Sequence, residues 1–169
     1  TVTVLLDREP YEVTTYRIDG EYLDGRHPSG VTFTRSLRED LQRRDFTVNA
    51  IALSWQGEIM DPFMGQADLQ AGLLRAVGDA EQRFEEDALR ILRGLRFASV
   101  LDFTVEQTTA AAMREKKELL RQIAAERVLE EMTKLLCGKA VRRVLMDFSD
   151  ILGVVLPEIL PSVDFDHRN

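Results

Sequence analysis

The chain has 169 residues, enough for one or two domains with a substantial core, and its 44% hydrophobic and 30% charged residues are those of a folded protein. A single cysteine, Cys137, excludes a disulfide framework, and only two histidines, His27 and His167, argue against a histidine-rich metal centre. No apolar run approaches membrane-spanning length and the first residues form neither a signal nor a transit peptide, so the sequence reads as cytoplasmic, with no membrane partner.

The net charge of −7 argues weakly against a nucleic-acid partner, but it is unevenly spread. Residues 110–143 hold nine Lys/Arg and five Asp/Glu, a balance of +4 in an otherwise acidic chain. Such a helical segment suits phosphates, and equally suits a solvated face laced with i,i+4 ion pairs.

Taken in order, residues 1–6 alternate Thr with apolar residues and 11–17 are rich in β-formers, which predicts two adjacent antiparallel strands. Residues 18–30 are dense in Gly, Asp and Pro and read as a long loop. Ser36 with Glu39 forms a capping-box pattern at the start of a short helix. The run Arg43-Arg44-Asp45 with Asn49 collects charged and amide groups that suit a triphosphate and a ribose hydroxyl, or an intradomain ion-pair network. Residues 50–55 and 58–60 flank Gln56-Gly57 and predict a hairpin. Asp68 is expected to cap a short helix through Ala71, and 73–77 to form a last strand before Gly78. From Asp79 the pattern is helical, over about 80–100, 106–123, 124–136, 139–145 and 149–156, with Thr104 and Gln107 as a second capping box.

The stretch Glu85-Glu86-Asp87-Ala88-Leu89-Arg90-Ile91-Leu92-Arg93-Gly94-Leu95-Arg96-Phe97 organises the rest. Asp87 and Arg90 share a helix face, with Arg93 and Arg96 continuing along it. Cytosine and adenine both present an amino donor beside an unprotonated ring nitrogen, whereas guanine and uracil present a carbonyl beside a ring N–H. A rigid Asp/Arg pair therefore matches C and A and confronts G and U with like groups. Taken alone, the same pattern is that of a surface ion pair worth a few tenths of a kcal/mol.

Read together, Glu-Val-Thr-Thr-Tyr-Arg (12–17), Asp-Gly-Glu-Tyr-Leu-Asp-Gly-Arg-His-Pro (19–28), Arg-Arg-Asp-Phe-Thr-Val-Asn-Ala (43–50), Asp-Pro-Phe-Met-Gly-Gln-Ala-Asp-Leu (61–69), Arg-Ala-Val-Gly (75–78) and Arg-Phe-Glu-Glu-Asp-Ala-Leu-Arg-Ile-Leu-Arg (83–93) resemble the class II CCA-adding enzymes and bacterial poly(A) polymerases. The resemblance runs from Thr1 to about Leu136. It implies an α+β fold: a polymerase-β-like nucleotidyltransferase head over 1–78, an all-α neck and body over 79–156, and a linker toward a further domain over 157–169. It implies stepwise addition of C, C and A from CTP and ATP to the 3′ end of tRNA, with Mg²⁺ as cofactor and the protein as template. A poly(A) polymerase or an A-adding tRNA enzyme is the alternative within the family. A non-catalytic nucleotide- or RNA-binding module is the alternative outside it.

Residue by residue, the resemblance places Asp87 and Arg90 on the family's base-pairing motif. Arg43, Arg44, Asp45 and Asn49 fall on its sugar and phosphate motif, and Arg93 joins the nucleotide-binding set. Asp61 and Gly65 fall near the head–neck hinge, and Arg127 and Glu130 on the neck motif that steadies the helix turn beneath the base. The loop at 19–30 matches the one needed for the final A. Glu12 falls where the family places a third acidic residue, which makes it the candidate catalytic and metal-binding group. The family's Gly-Gly motif and its magnesium-holding Asp-x-Asp pair lie upstream of the first strand; no Gly-Gly occurs in these 169 residues, and the one Asp-x-Asp spacing, Asp164-Phe165-Asp166, falls in the polar C-terminal tail. The expectation is a chain cut at both ends, and a poor catalyst by itself.

Overall fold

The computed structural model describes residues 1–20 and 30–159. The expected loop at 18–30 therefore lies largely outside the described residues, as does most of the expected linker at 157–169. The fold is α+β, with short antiparallel ribbons leading into packed helices.

Strands β1 (Val2–Leu6) and β2 (Glu9–Val13) pair antiparallel, Val2 facing Val13 and Leu6 facing Glu9. The predicted second strand thus starts two residues early and stops at Val13. Arg17 belongs instead to β3 (Arg17–Asp19), which pairs with β4 (Val31–Phe33). Helix α1 (Leu37–Gln42) begins as expected, the Ser36 hydroxyl accepting from Glu39 N at 3.4 Å. The Glu39 carboxylate accepts from the Thr34 hydroxyl instead of closing the box. Strands β5 (Ala52–Leu53) and β6 (Ile59–Met60) form the predicted hairpin, turning through Gly57 at φ 87°.

Helix α2 (Gly65–Ala71) is capped from Asp61, not Asp68. Asp61 accepts from Gly65 N at 2.7 Å and Gln66 N at 2.8 Å, and these hydrogen bonds outweigh burial to hold its carboxyl below the usual range. Asp68 sits inside the helix, buried, accepting from the Thr47 hydroxyl at 2.7 Å and from Arg75 Nε at 3.1 Å. The predicted strand at 73–77 shrinks to β7 (Leu73–Leu74), which pairs in parallel with β8 (Thr104–Val105) inside the supposedly all-helical half. Glu106, not Thr104, caps the next helix, accepting from Thr109 N at 2.8 Å.

The helix predicted at 80–100 is two helices, α3 (Ala80–Glu86) and α4 (Leu89–Leu101). Asp87 between them is extended, at φ −149° and ψ 102°, and its carboxylate accepts from Leu89 N at 3.1 Å. The helix predicted at 106–123 likewise divides, into α5 (Gln107–Glu115) and a 3₁₀ turn at Lys117–Gln122. Helices α6 (Ala125–Leu136), α7 (Val141–Asp147) and α8 (Ser149–Val155) follow within two residues of expectation.

Helix α4 is the spine. Its Leu89, Ile91, Leu92, Leu95 and Ala98 are buried, so apolar side chains cover more than one side, as a helix packed on several neighbours requires. The main core joins α4 to Phe46, Leu74 and Ala76 on one side and to Met132, Leu135, Val144 and Ile151 on the other. At the crossing of α4 with Phe46 and α5, a side chain on Gly94 would come within 2.8 Å of the Phe46 ring and 2.4 Å of Met113 Cε. Among the described residues no helix is long and apolar enough to cross a membrane.

Candidate nucleotide-binding site

The end of α1, the 3₁₀ turn at Thr47–Asn49, the break between α3 and α4, and the start of α6 converge on one cleft of about 520 Å³. Arg43, Arg44, Asp45, Asn49, Asp87, Arg90, Arg93 and Arg127 all line it. Eight of the ten expected site residues therefore meet at one place, although they span 84 positions of sequence from 43 to 127. Five arginines against two aspartates make this a positive cleft in a negative chain, which favours a polyanionic ligand.

The expected Asp87–Arg90 pair takes a different form. Asp87 Oδ2 accepts from Arg127 Nη2 at 3.0 Å, and Arg90 turns to other acceptors. Arg90 Nη1 donates to Glu86 Oε2 at 2.8 Å and to the Arg83 carbonyl at 3.2 Å, and Nη2 donates to the Arg43 carbonyl at 3.0 Å. Three of the five guanidinium hydrogens are used, leaving Nε–H and one Nη2 hydrogen. A carboxylate accepts about four hydrogen bonds, so Asp87, with two, also keeps capacity. Each group is held by the protein and keeps unused hydrogen-bonding capacity.

Asp45 is buried and spends its oxygens within the protein. Oδ1 accepts from Phe46 N at 2.9 Å and from Asn49 Nδ2 at 3.0 Å, and Oδ2 accepts from Arg93 Nε at 2.8 Å. It fixes the two neighbours that line the cleft. Arg93 continues onto the Phe97 ring, 5.6 Å from its centroid, and Arg96 covers that ring at 4.2 Å.

Glu130 lies apart from this arrangement. It is exposed and pairs with Lys134 at 2.6 Å, and that hydrogen bond holds its carboxyl below the usual range. The neighbouring Glu131 is the buried one, 3.0 Å from Arg96 Nε, so α6 reaches α4 through Glu131. Glu131 lies four residues after Arg127 and in the same register as Val128, Met132 and Leu135, a periodicity that marks the α4-facing side. Arg83 and Glu86 also brace the cleft, a role that their place in the 83–93 motif does not by itself disclose. Arg83 is buried, pairs with Glu86 and donates to the Gln42 carbonyl at 3.0 Å, so Glu86 bridges the two arginines that tie α3 and α4 to the end of α1.

Glu12 stands on the β1–β2 ribbon, exposed and opposite Thr3. Among the described residues no three His, Cys, Asp or Glu side chains are grouped to hold a metal ion. Magnesium takes near-octahedral oxygen ligation built around carboxylates, and one isolated glutamate does not fit it.

The mixed fold of helices and small antiparallel sheets matches the nucleotidyltransferase head fold. Residues 1–75 match the family model described as the poly A polymerase head domain, and residues 102–162 match the probable RNA and SrmB-binding site of polymerase A. The CCA-adding enzyme of Lactococcus lactis subsp. cremoris is 48% identical across the whole of this chain, which covers 46% of that protein. The CCA-adding enzyme of Streptococcus pyogenes is 57% identical over 143 residues, 85% of this chain and 36% of its own length. The crystal structure of the Bacillus stearothermophilus CCA-adding enzyme in complex with CTP superposes on 86% of this chain and 35% of its own, with a TM-score of 0.77 and 43% identity. The Thermotoga maritima CCA-adding enzyme complexed with tRNA superposes on 72% of this chain and 31% of its own, with a TM-score of 0.62 and 31% identity. The chain belongs to the family of CCA-adding enzymes and poly(A) polymerases. It spans less than half the length of the curated relatives it matches.

Proposed function

We propose that the chain serves a template-independent nucleotidyltransferase that adds CMP, CMP and AMP to the 3′ end of tRNA, using CTP and ATP. In each step the RNA 3′ hydroxyl displaces pyrophosphate from the incoming nucleotide. The observation that carries this reading is the cleft itself, where a held carboxylate and a held guanidinium with spare capacity stand beside four more arginines. Asp87 accepts from the amino group of C or A, and Arg90 donates to the adjacent ring nitrogen. Arg43, Arg44 and Arg93 receive the triphosphate, and Asn49, oriented by Asp45, faces the sugar. The CTP bound to the Bacillus stearothermophilus relative and the tRNA bound to the Thermotoga maritima relative support the choice of ligands. The head at 1–78, the helical neck at 79–156 and a cytoplasmic location belong to the same reading.

Calorimetry with CTP, ATP, GTP and UTP on the wild type and on Asp87→Ala tests it. Binding of CTP and ATP over GTP and UTP, made indiscriminate in the variant, is the expected result. Equal losses for all four nucleotides would remove the templating role, and binding of ATP alone would favour the A-adding alternative.

A further inference from the structure

Arg43 and Arg44 follow one another in the chain, and consecutive residues at a helix end point in different directions. They nevertheless line the same cleft. The group that gathers them is Asp40, on the last turn of α1, three residues before one and four before the other. Those are the two spacings at which helical side chains are neighbours. Asp40 Oδ1 lies 3.1 Å from Arg43 Nε and 2.8 Å from Arg43 Nη2, and Oδ2 lies 3.5 Å from Arg44 Nη2.

The Asp40 side chain is 2% exposed, so it does not meet a ligand itself. A buried carboxylate is costly unless its oxygens are filled, and this one also accepts from Arg17 N at 3.2 Å, at the start of β3. Burial pushes its carboxyl up, but the Arg43 hydrogen bonds, the Arg17 N–H and the two guanidinium charges outweigh that and hold it below the usual range. It is therefore an anion at neutral pH. Arg43 is 22% exposed and Arg44 42%, and both line the cleft; Arg43 Nη1 also lies 3.7 Å from Asp19, and Arg44 Nη1 donates to the Asn49 carbonyl at 3.4 Å.

The structure assigns Asp40 the role of a positioning residue for triphosphate binding: a buried anion that aims the guanidinium groups of Arg43 and Arg44 into one cleft. This rests on the reading of the cleft as a nucleotide site. Its action is on the phosphates, so it is blind to the base. Coulomb's law alone gives the opposite sign, because removing a negative charge near a polyanion tightens binding. A loss of affinity on neutralising Asp40 therefore reports aim rather than charge.

The test is calorimetry with CTP, GTP and inorganic tripolyphosphate on the wild type, Asp40→Asn and Asp40→Glu, each below its own melting temperature. Asp40→Asn keeps size and one acceptor oxygen while removing the charge. The expected result is a loss of about tenfold, equal for CTP and tripolyphosphate, the scale of one charge-assisted hydrogen bond. In an Arg43→Ala/Arg44→Ala background that loss disappears. Asp40→Glu, with the charge displaced by one methylene, falls between the two and serves alone if Asp40→Asn does not fold. Unchanged or tighter binding in Asp40→Asn, wild-type affinity in Asp40→Glu where that variant is the only one folded, or a loss that persists without the two arginines would overturn the assignment. So would a wild type that binds no tripolyphosphate. A wild type that binds CTP and GTP alike, with the Asp40→Asn loss intact, would sink the templating reading and leave Asp40 its role.

Discussion

Asp87 Oδ2 and Arg127 Nη2 stand 3.0 Å apart, joining the break between α3 and α4 to the first turn of α6 across 40 residues. Both side chains are about four-fifths buried. The aim of the candidate base-reading carboxylate is thus set by a helix that contributes nothing else to the base edge. Arg127→Ala is expected to destabilise the fold by about 1 kcal/mol, since Asp87 keeps Leu89 N and regains water. Its larger effect is on choice. With Asp87 free to rotate, the preference for CTP and ATP over GTP and UTP should narrow while the average affinity changes less. An unchanged preference measured by calorimetry would separate Arg127 from base reading.

Met64 precedes α2 with φ 62°, in the left-handed region that costs a side-chain-bearing residue about 1 kcal/mol. It is exposed, so its side chain contributes little packing in return. Met64→Gly should raise stability by about 1 kcal/mol, or 2–4 °C in Tm for a chain of this size. The next residue behaves in the opposite way. A Cβ on Gly65 would stand 2.2 Å from the Thr47 carbonyl oxygen, and backbone there cannot move aside cheaply. Gly65→Ala should lower Tm sharply and shift Asp61 and Asp68 with it. A scanning-calorimetry pair on the two variants, moving in the same direction, would refute this account.

The apolar periodicity of 89–98 was legible because the core surrounds α4, and burial writes itself into spacing. The break before it was not, because Glu-Asp-Ala-Leu-Arg keeps a helical pattern through residue 87. The available signal was Asp87 itself, an N-cap type of residue directly before the apolar run. The eight residues that line the cleft stood out through their charge and through the motifs that carry the resemblance. Their partners were missed because Asp40, Glu86 and Glu131 act on other protein groups. Charge type alone cannot distinguish a buried bridging carboxylate from an exposed one. Glu130, taken from the resemblance, is exposed and pairs with Lys134, whereas Glu131, four residues after Arg127, is the buried one beside Arg96.

Glu106 gives a pH prediction. Burial raises its carboxyl, but the Thr108 and Thr109 N–H groups and the Thr109 hydroxyl outweigh that and hold it below its ordinary value of 4.5. A depressed folded-state value stabilises the fold fully above the unfolded value, and the contribution fades as pH falls through the folded one. Wild type should therefore exceed Glu106→Gln in stability, read as Tm, by a constant margin on the order of 1 kcal/mol above about pH 5. Below about pH 4.5 the margin should shrink toward zero. A margin that grows on acidification would mean that Glu106 is not the cap on α5 that its hydrogen bonds describe.

The basic segment at 110–143 bears on RNA binding. Five of its nine cations are already paired in the fold: Lys116 with Glu81 and Glu85, Arg114 and Lys117 with Asp150, Arg127 with Asp87, and Arg143 with Asp102. Arg121 and Lys134 also have partners, but each pair is exposed and screened, so phosphate competes for them on nearly equal terms. Lys139 is exposed with no ion-pair partner among the described residues. If this surface meets tRNA, these three side chains are expected to contribute, beside the exposed Arg142. Each phosphate contact made, through the counterions it releases, steepens the dependence of log K on log salt by nearly one unit. The triple variant Arg121→Ala/Lys134→Ala/Lys139→Ala should then flatten that slope by about two to three units and leave CTP binding as it was. An unchanged slope would place the tRNA elsewhere on the molecule.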